Sequence, residues 1–312
     1  MKRAYLTLMA VVGLCLLLPV ANASAATVVN GDFETGDLSG WQEVNETGGG
    51  SWFTYSSAEA GGFFSPPSGN FAAVDDQGGP DLDVLYQDVF LEPGYTHQLA
   101  LWLYYESSEP ISAPPTLSLE VENQQVRVDV MRPTAPINSV APGDILATVF
   151  ANKAGDSQVL PPTHLTADLS AFAGQTVRLR IANAVTEGPF NSAIDGVSIT
   201  STPIPPPSNL TTRGKLKLNK NNGTGKLTIN VPGPGALKAV GKGKKKLIKA
   251  RSLTASAAGP LNVSLNPTTQ GKKVLNSKGK LQVQVEVTFT PTGGTAGTQT
   301  YKVTLRKTLK QA

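Results

Sequence analysis

In the stretch Leu99-Ala100-Leu101-Trp102-Leu103-Tyr104, leucine occupies every second position. This alternation predicts a β-strand with one buried face. The three leucines fall on one face of such a strand, so Trp102 and Tyr104 fall on the other. The same alternation recurs at residues 126–130 and 177–181. Glycine, proline, asparagine and aspartate lie between these runs and predict turns. The first two hundred residues therefore read as a β domain.

The last hundred residues show the same period of two. The clearest run covers residues 281–289, Leu-Gln-Val-Gln-Val-Glu-Val-Thr-Phe, and shorter runs fall at 215–218, 226–231, 261–265 and 301–305. About seven short strands in a hundred residues predict an immunoglobulin-like β-sandwich. We identify no helical periodicity beyond a single turn near residues 168–173, so we expect an all-β chain.

A proline run separates two halves of opposite charge. Residues 26–202 carry five Lys/Arg and twenty-two Asp/Glu, whereas residues 203–312 carry twenty Lys/Arg and one Asp/Glu. We predict two domains, 26–202 and 209–312, joined at residues 203–208 by a proline-rich linker that is short and stiff. Such charge asymmetry predicts either different partners for the two halves or attraction between them.

Residues 1–25 have the features of a secretory signal peptide. A basic start at Lys2 and Arg3 precedes an apolar run and the small residues Ala23-Ser24-Ala25. The single cysteine, Cys15, lies inside this segment, so the mature chain would hold together without disulfides. No later run is long and apolar enough to predict a transmembrane segment. We therefore expect a secreted, extracellular protein, either free or associated with the cell surface.

Residues 29–41, Val-Asn-Gly-Asp-Phe-Glu-Thr-Gly-Asp-Leu-Ser-Gly-Trp, resemble the start of the galactose-binding-like jelly rolls, the fold of many bacterial carbohydrate-binding modules. Three later stretches resemble further parts of that family in the same order: 68–73, 85–95 and 193–199. The resemblance implies a jelly-roll β-sandwich over residues 26–202 and the binding of a polysaccharide or glycan. It bears on the fold more than on the ligand, because the fold hosts many functions.

The same resemblance implies a structural calcium ion. Its ligands would be the backbone carbonyl of Gly31 and the carboxylates of Glu34 and Asp195, which are the hard oxygen ligands that Ca²⁺ prefers. Gly196 stands where the family often has a second acid, and this departure would weaken the site. The alternative is that Glu34 and Asp195 are solvated acids. Alternation along a strand would turn Phe33 inward and Glu34 outward.

A second acidic cluster spans residues 75–83, Asp-Asp-Gln-Gly-Gly-Pro-Asp-Leu-Asp. The central Gly-Gly-Pro predicts a turn, with the acids arranged around a loop tip. One interpretation is a solvated turn. The other is that Asp76 and Gln77 make polar contacts to a sugar, or that the loop holds a second cation.

Sugar recognition needs exposed aromatic faces next to amide and carboxylate groups. The candidates are Trp52 and Tyr55 in a Gly/Ser-rich stretch, and Trp102 and Tyr104 on the strand described above. Packing of Trp102 beneath a covering loop is the alternative. We assign Trp41 to the core.

Catalytic motifs are missing from the sequence. Neither His97 nor His164 lies in a nucleophile elbow, a zinc motif or a recognisable triad. A glycosidase needs two carboxylates placed across a cleft, and twenty-two acids make such a pair easy to find by chance. We therefore expect a non-catalytic protein, with an unrecognised hydrolase as the competing hypothesis.

The basic half has a dense cluster at residues 242–246, Lys-Gly-Lys-Lys-Lys. It lacks the interleaved aromatic residues of a nucleic-acid stacking platform, and export favours other polyanions as partners, such as an anionic cell-surface polymer. This half resembles a Lys-rich β-sandwich module at the C-termini of exported bacterial proteins. The sequence thus predicts a secreted carbohydrate-binding protein. The alternative is a structural or adhesive surface protein that associates through its oppositely charged domains.

Overall fold

The computed structural model describes residues 26–61, 63–243 and 245–309. The predicted signal peptide at residues 1–25 lies outside the described residues. The chain divides between Ile204 and Pro205 into two compact units, called here the first and second domains. The role of residues 203–208 as a stiff linker stays a prediction.

The regular secondary structure in the described part of the first domain is almost entirely β-strand. The strands are β1 (Gln42–Asn45), β2 (Trp52–Ser56), β3 (Phe71–Gln77), β4 (Asp81–Phe90), β5 (Tyr95–Ser107), β6 (Gln124–Met131), β7 (Ile145–Ala151), β8 (Val159–Asp168), β9 (Thr176–Val185) and β10 (Phe190–Pro203). A single 3₁₀ turn covers Ser170–Phe172, where the sequence predicts one helical turn.

These strands form two antiparallel five-stranded sheets. Sheet I has the order β1-β4-β9-β6-β7, and sheet II has the order β2-β3-β10-β5-β8. From β3 to β10, successive strands alternate between the two sheets except at β6 and β7, which pair with each other in sheet I, and this is the connectivity of an eight-stranded jelly roll. The predicted jelly-roll β-sandwich is therefore confirmed as the architecture of this domain.

The core of the first domain lies between sheets I and II. Leu99, Leu101 and Leu103 are buried in it, which confirms the face assignment made from their alternation. Residues of odd number on β4, from Asp83 to Val89, point into the same space, so residues of even number on β4 face outward from sheet I. This alternation decides which β4 side chains face the core and which face outward.

Residues 29–41 form a series of turns, not a strand. Phe33 is buried and stacks on Trp41 with ring centroids 5.6 Å apart, while Glu34 is exposed, so the predicted burial is correct. The reason differs from the prediction, because Asn30 and Phe33 both have positive φ angles, 49° and 55°. Left-handed backbone, uncommon for residues with a side chain, thus turns the aromatic ring inward.

The second domain contributes seven strands and one helix in its described part. The strands are β11 (Thr212–Asn219), β12 (Thr224–Val231), β13 (Gly235–Gly241), β14 (Arg251–Ala255), β15 (Gly259–Leu265), β16 (Lys280–Pro291) and β17 (Gly297–Arg306). The helix α1 (Thr269–Lys278) contradicts our expectation of no helix in this half. Its caps explain it: the side chain of Thr268 accepts a hydrogen bond from the Gly271 N–H, and Gly279 adopts the left-handed conformation.

The strands of the second domain form a β-sandwich around a single core cluster. Sheet III has the order β11-β12-β15, and sheet IV has the order β14-β13-β16-β17. The predicted β-sandwich is therefore confirmed for this domain, and its identity as an immunoglobulin-like module stays a prediction. No helix in the described ranges has the length and apolar character needed to cross a membrane.

Candidate functional site

Three of the four aromatic candidates from the sequence are buried. Trp52, Tyr55 and Tyr104 are only 3%, 3% and 0% exposed, so our expectation of exposed aromatic faces is wrong for them. Trp52 points into the core between the sheets. Tyr55 and Tyr104 lie on the outer face of sheet II, where their hydroxyls are 2.7 Å apart. Phe63 and Phe64 pack over Tyr104, so a covering loop removes it from solvent.

The remaining sugar-binding candidates have different environments. Trp102 is half-buried and meets the exposed His164 edge-on, with ring centroids 5.0 Å apart. Asp76 is exposed on β3, whereas Gln77 is fully buried and faces the core. The acids of residues 75–83 therefore lie on two strands, and only residues 78–80 form the turn between them. The expectation that these acids surround a loop tip is wrong, because alternate side chains on a strand point into the core.

The predicted calcium ligands Glu34 and Asp195 both accept hydrogen bonds from the backbone of residues 68–71, the segment that leads into β3. Glu34 accepts hydrogen bonds from the backbone N–H groups of Asn70 (2.7 Å) and Phe71 (2.8 Å). Asp195 accepts one from the Ser68 N–H at 2.9 Å. The backbone carbonyl of Gly31 accepts a hydrogen bond from the Val197 N–H at 2.7 Å. The two carboxylates thus fix the entry to β3.

The electrostatics of these two carboxylates differ. The N–H groups of Phe71 and Asn70 hold the pKa of Glu34 below its usual value. Burial raises the pKa of Asp195 to about 7, and the charges of Glu34 and Asp32 act in the same direction. Among the described residues, no Lys or Arg forms an ion pair with either carboxylate.

The three predicted ligands fit Ca²⁺ in the chemistry of their donors. Two carboxylates and a carbonyl are all hard oxygen ligands, and buried Asp195 has no basic partner to offset its charge. In the part of the chain that the structure describes, no three or more His, Cys, Asp or Glu side chains cluster closely enough to hold a metal ion. A calcium ion here would thus depend on carbonyl and solvent oxygens as well.

An exposed patch on the outer face of sheet I combines aromatic rings with fixed polar groups. Arg178 donates two hydrogen bonds to Asp88, through Nε at 2.7 Å and Nη2 at 2.9 Å. The Arg178 guanidinium lies 4.3 Å from the centroid of the Tyr86 ring, and the Tyr86 hydroxyl donates to Gln42 Oε1. Phe90, two residues beyond Asp88, is 46% exposed. We call these five residues the Arg178 platform.

The polar groups of the Arg178 platform contact one another in the absence of a ligand. Asp88 raises the pKa of Arg178 further above its already high value, so the guanidinium stays charged. A bidentate pair and a cation–π contact fix its orientation from two directions. Fixed donors and acceptors beside aromatic surface are what recognition of sugar hydroxyls and the apolar faces of sugar rings requires.

Sequence reasoning missed this platform although the signal was present. Residues 85–90 read Leu-Tyr-Gln-Asp-Val-Phe, and period-two alternation puts Tyr86, Asp88 and Phe90 on one face. Leu85 and Val89 are buried in the core, so the other three face outward. Arg178 was identifiable only through the register that pairs it with Asp88 across β4 and β9. That register is a long-range property.

A groove of about 850 Å³ also lies on the first domain, lined by Glu46 and by residues 115–120 and 138–142. It contains no aromatic side chain. Buried Arg180 lies below residues 137–139, where it donates to the carbonyls of Ile137 (2.6 Å) and Ser139 (2.8 Å) and to Asp129 Oδ2 (2.6 Å). This ion pair fixes one wall of the groove.

The second domain exposes its basic side chains on sheet faces. Lys217 and Lys226 are both exposed and lie directly opposite each other on β11 and β12. Like charges at such positions repel each other, so this surface favours an anion as a neighbour. The single acid of this half, Glu286, lies 3.9 Å from Lys242.

No protein-family model matches the chain, and no curated protein matches it. Many solved structures show a distant likeness to it, among them the following three. TmCBM61 in complex with β-1,4-galactotriose is 12% identical, and the match covers 56% of this chain and 99% of that one, with a TM-score of 0.38. The K1 cleaved adhesin domain of Lys-gingipain from Porphyromonas gingivalis W83 is 14% identical over 55% and 96%, with a TM-score of 0.35. A family 16 carbohydrate-binding module is 14% identical over 55% and 98%, with a TM-score of 0.32.

Proposed function

We propose that this chain is an exported, non-catalytic carbohydrate-binding protein whose first domain holds a glycan on the Arg178 platform. The observation that carries the proposal is the Arg178 guanidinium, fixed by Asp88 and Tyr86 on the outward face of β4 that also carries the exposed Phe90. A preorganised site loses less side-chain entropy when a ligand binds. The aromatic surface provides stacking, and the ion pair provides directional hydrogen bonds.

A glycan array with the full chain tests this proposal. We expect binding to at least one class among plant, cell-wall and exopolysaccharide glycans, and a loss of about tenfold or more in Arg178→Ala, as at a binding hot spot. Arg178→Lys should lose nearly as much, because lysine does not reproduce the bidentate geometry. No binding across the array, or full binding by Arg178→Ala, would overturn the proposal.

The non-catalytic part of the proposal is supported by the placement of the titratable groups. His97 is buried and its ring nitrogens contact Ser201 and the Glu92 carbonyl. The carboxyl pair of Asp75 and Asp83 is fully buried, out of reach of a substrate. Release of new reducing ends from the bound glycan, abolished by a single carboxylate substitution, would contradict this part.

We also propose that the second domain binds an anionic cell-surface polymer. Its surface charge and the facing pair of Lys217 and Lys226 support this role. Retention of the full chain on a polyanion resin should weaken in Lys217→Ala/Lys226→Ala and with rising salt. Equal retention of this variant and the wild type would remove these two lysines from the proposal.

An adhesive role is the second candidate, favoured by the opposite charges of the two domains. Domains of neighbouring molecules would then attract one another. Self-association of the full chain that disappears as salt rises to screen exposed charges would support it. A chain that stays monomeric at low salt would exclude it.

The calcium ion at Gly31, Glu34 and Asp195 is likewise a proposal. A ligand that binds only the folded state raises its melting temperature by mass action. We expect the first domain to melt higher in millimolar Ca²⁺ than in EDTA, with a smaller increase in Glu34→Ala. An equal increase in both proteins would remove Glu34 from the site.

A further inference from the structure

Two carboxyl groups face each other inside the first domain. Asp75 on β3 of sheet II and Asp83 on β4 of sheet I are both 0% exposed, and their side chains lie within hydrogen-bonding distance of one another. A pair of this kind bridges the two sheets of the sandwich. Neither residue belongs to the platform or to the calcium ligands implied by the resemblance.

Two buried amides complete the cluster. Gln77 Nε2 and Asn183 Nδ2 both donate to Asp75 Oδ2, at 3.0 Å and 2.8 Å, so both amide groups point at this carboxylate. Their own oxygens accept no hydrogen bond from the described residues. Five buried oxygen atoms thus lack a donor: Asp75 Oδ1, Asp83 Oδ1, Asp83 Oδ2, Gln77 Oε1 and Asn183 Oδ1.

The charge around the cluster is negative. Asp81, Glu43 and Asp76 all act on Asp83, and no Lys or Arg of the described chain forms an ion pair with Asp75 or Asp83. Both carboxyl groups are fully buried, and three of their four oxygens accept no hydrogen bond from the described residues. Two bare carboxylates are therefore unstable here, and the cluster requires positive charge.

A single shared proton does not satisfy the cluster, because it supplies one donor contact for five acceptor atoms. A hard divalent cation neutralises both carboxylates and contacts several oxygens at once, and carboxylate and amide oxygens are the ligands that Ca²⁺ takes. We propose that Asp75 and Asp83, with Asp75 oriented by the amide N–H groups of Gln77 and Asn183, form an interior binding site for a hard divalent cation such as Ca²⁺.

The cation would enter as the domain folds. The segment 47–50 covers this end of the sandwich, since Asp81 accepts hydrogen bonds from the N–H groups of Thr47 (2.8 Å) and Gly49. A Cβ at Gly50 would lie 2.7 Å from the backbone of Gln77, so this segment rests directly on the cluster. Metal binding at such a buried site is coupled to folding.

The test is refolding of the full chain in EDTA or in millimolar Ca²⁺, followed by calorimetry. At a Ca²⁺ concentration about 100 times Kd, the first domain should melt about 5–10 °C higher than in EDTA. Glu34→Gln, which alters only the other predicted calcium site, should keep most of this increase. Asp83→Asn, which has almost the same shape as aspartate but lacks the charge, should lose most of it and keep only the part due to the Glu34 site.

A second readout does not depend on stability. Tb³⁺ replaces Ca²⁺ at oxygen sites and emits when an excited indole lies nearby; Trp52 is the register partner of Asp75. Indole-sensitised Tb³⁺ emission that Ca²⁺ competes away should appear in wild type, persist in Glu34→Gln and fall markedly in Asp83→Asn. Equal emission and equal Ca²⁺ response in wild type and Asp83→Asn would overturn the site. So would a melting temperature that ignores Ca²⁺ but rises as the pH falls, which identifies a shared proton.

Discussion

Two ion pairs on the outer face of sheet I differ sharply in burial, and we predict different costs for removing their carboxylates. The Arg180 and Asp129 side chains are both 0% exposed, whereas the Arg178 and Asp88 side chains are 13% and 37% exposed. The two arginines are neighbours on the same face of β9. Asp129→Asn and Asp88→Asn therefore form a matched comparison of the same chemical change.

The expected magnitudes follow from what each substitution leaves behind. Asp129 also pairs with Arg127 at 3.0 Å, so Asp129→Asn leaves the buried charge of Arg180 without a counter-ion and removes a second, less buried pair. The loss of the buried counter-ion dominates and costs about 3–5 kcal/mol. Asp88→Asn leaves Arg178 within reach of water, and exposed pairs contribute about 0.2–1 kcal/mol. For a domain of this size, about 2–4 °C of melting temperature corresponds to 1 kcal/mol. The first domain should lose about 6–20 °C in Asp129→Asn and less than about 4 °C in Asp88→Asn.

Calorimetry of the full chain measures both changes, with the transition of the second domain as an internal reference. Arg180→Met combined with Asp129→Leu should recover most of the loss, because a buried ion pair replaced by apolar residues is often neutral. A loss in Asp129→Asn no larger than that in Asp88→Asn would refute the burial of the Arg180 pair. The wall of the groove at residues 137–139 would then need another support.

Three further outcomes concern the turn at residues 29–41, the final strand of the first domain and the buried Tyr55–Tyr104 contact. Gly31→Ala should destabilise this domain by about 1–3 kcal/mol, since its Cβ would lie 1.9 Å from the carbonyl oxygen of Val197. Gly143→Ala, whose Cβ meets nothing within 4 Å, is its control in the same calorimetric scan, and equal losses would contradict the close contact. In EDTA, wild type should gain stability over Asp195→Asn as the pH falls from 8 to 4. The folded-state pKa of Asp195, about 7, lies above its unfolded value of 3.8, so the folded state takes up the proton first as the pH falls. The gain in unfolding free energy reaches at most about 4 kcal/mol. A difference in stability that does not change with pH in urea titrations would argue against a raised pKa. Tyr104→Phe should cost about 0.5–1.5 kcal/mol through loss of the hydroxyl contact with Tyr55, and unchanged urea stability would mean that this contact contributes nothing.

Local patterns predicted the strands and one face of each. Leu101 is in the core because alternation along β5 is a local property, and Val285 follows the same rule in β16. The helix α1 was missed because its apolar periodicity is weak, while its caps at Thr268 and Gly279 were visible in the sequence. Cap residues were therefore the better signal there.

The site was harder to predict, because a strand shows two faces but not what covers them. Tyr104 was correctly placed on the outer face of sheet II, yet Phe63 and Phe64 cover it, and this contact joins distant parts of the chain. Asp83 was expected at a loop tip, and its inward parity became visible only with the bounds of β4. Covering loops and strand register depend on contacts between residues far apart in the sequence, and local alternation does not predict such contacts.

The most direct test of a glycan on the Arg178 platform compares two exposed phenylalanines on opposite sheets. Phe90 on sheet I is 46% exposed and belongs to the platform, whereas Phe53 on sheet II is 40% exposed and lies outside it. Titration calorimetry of the full chain with the glycan selected on the array should show a loss of about tenfold or more in affinity for Phe90→Ala. Phe53→Ala should bind as wild type does. Equal affinities for wild type and Phe90→Ala, or a loss confined to Phe53→Ala, would contradict the account.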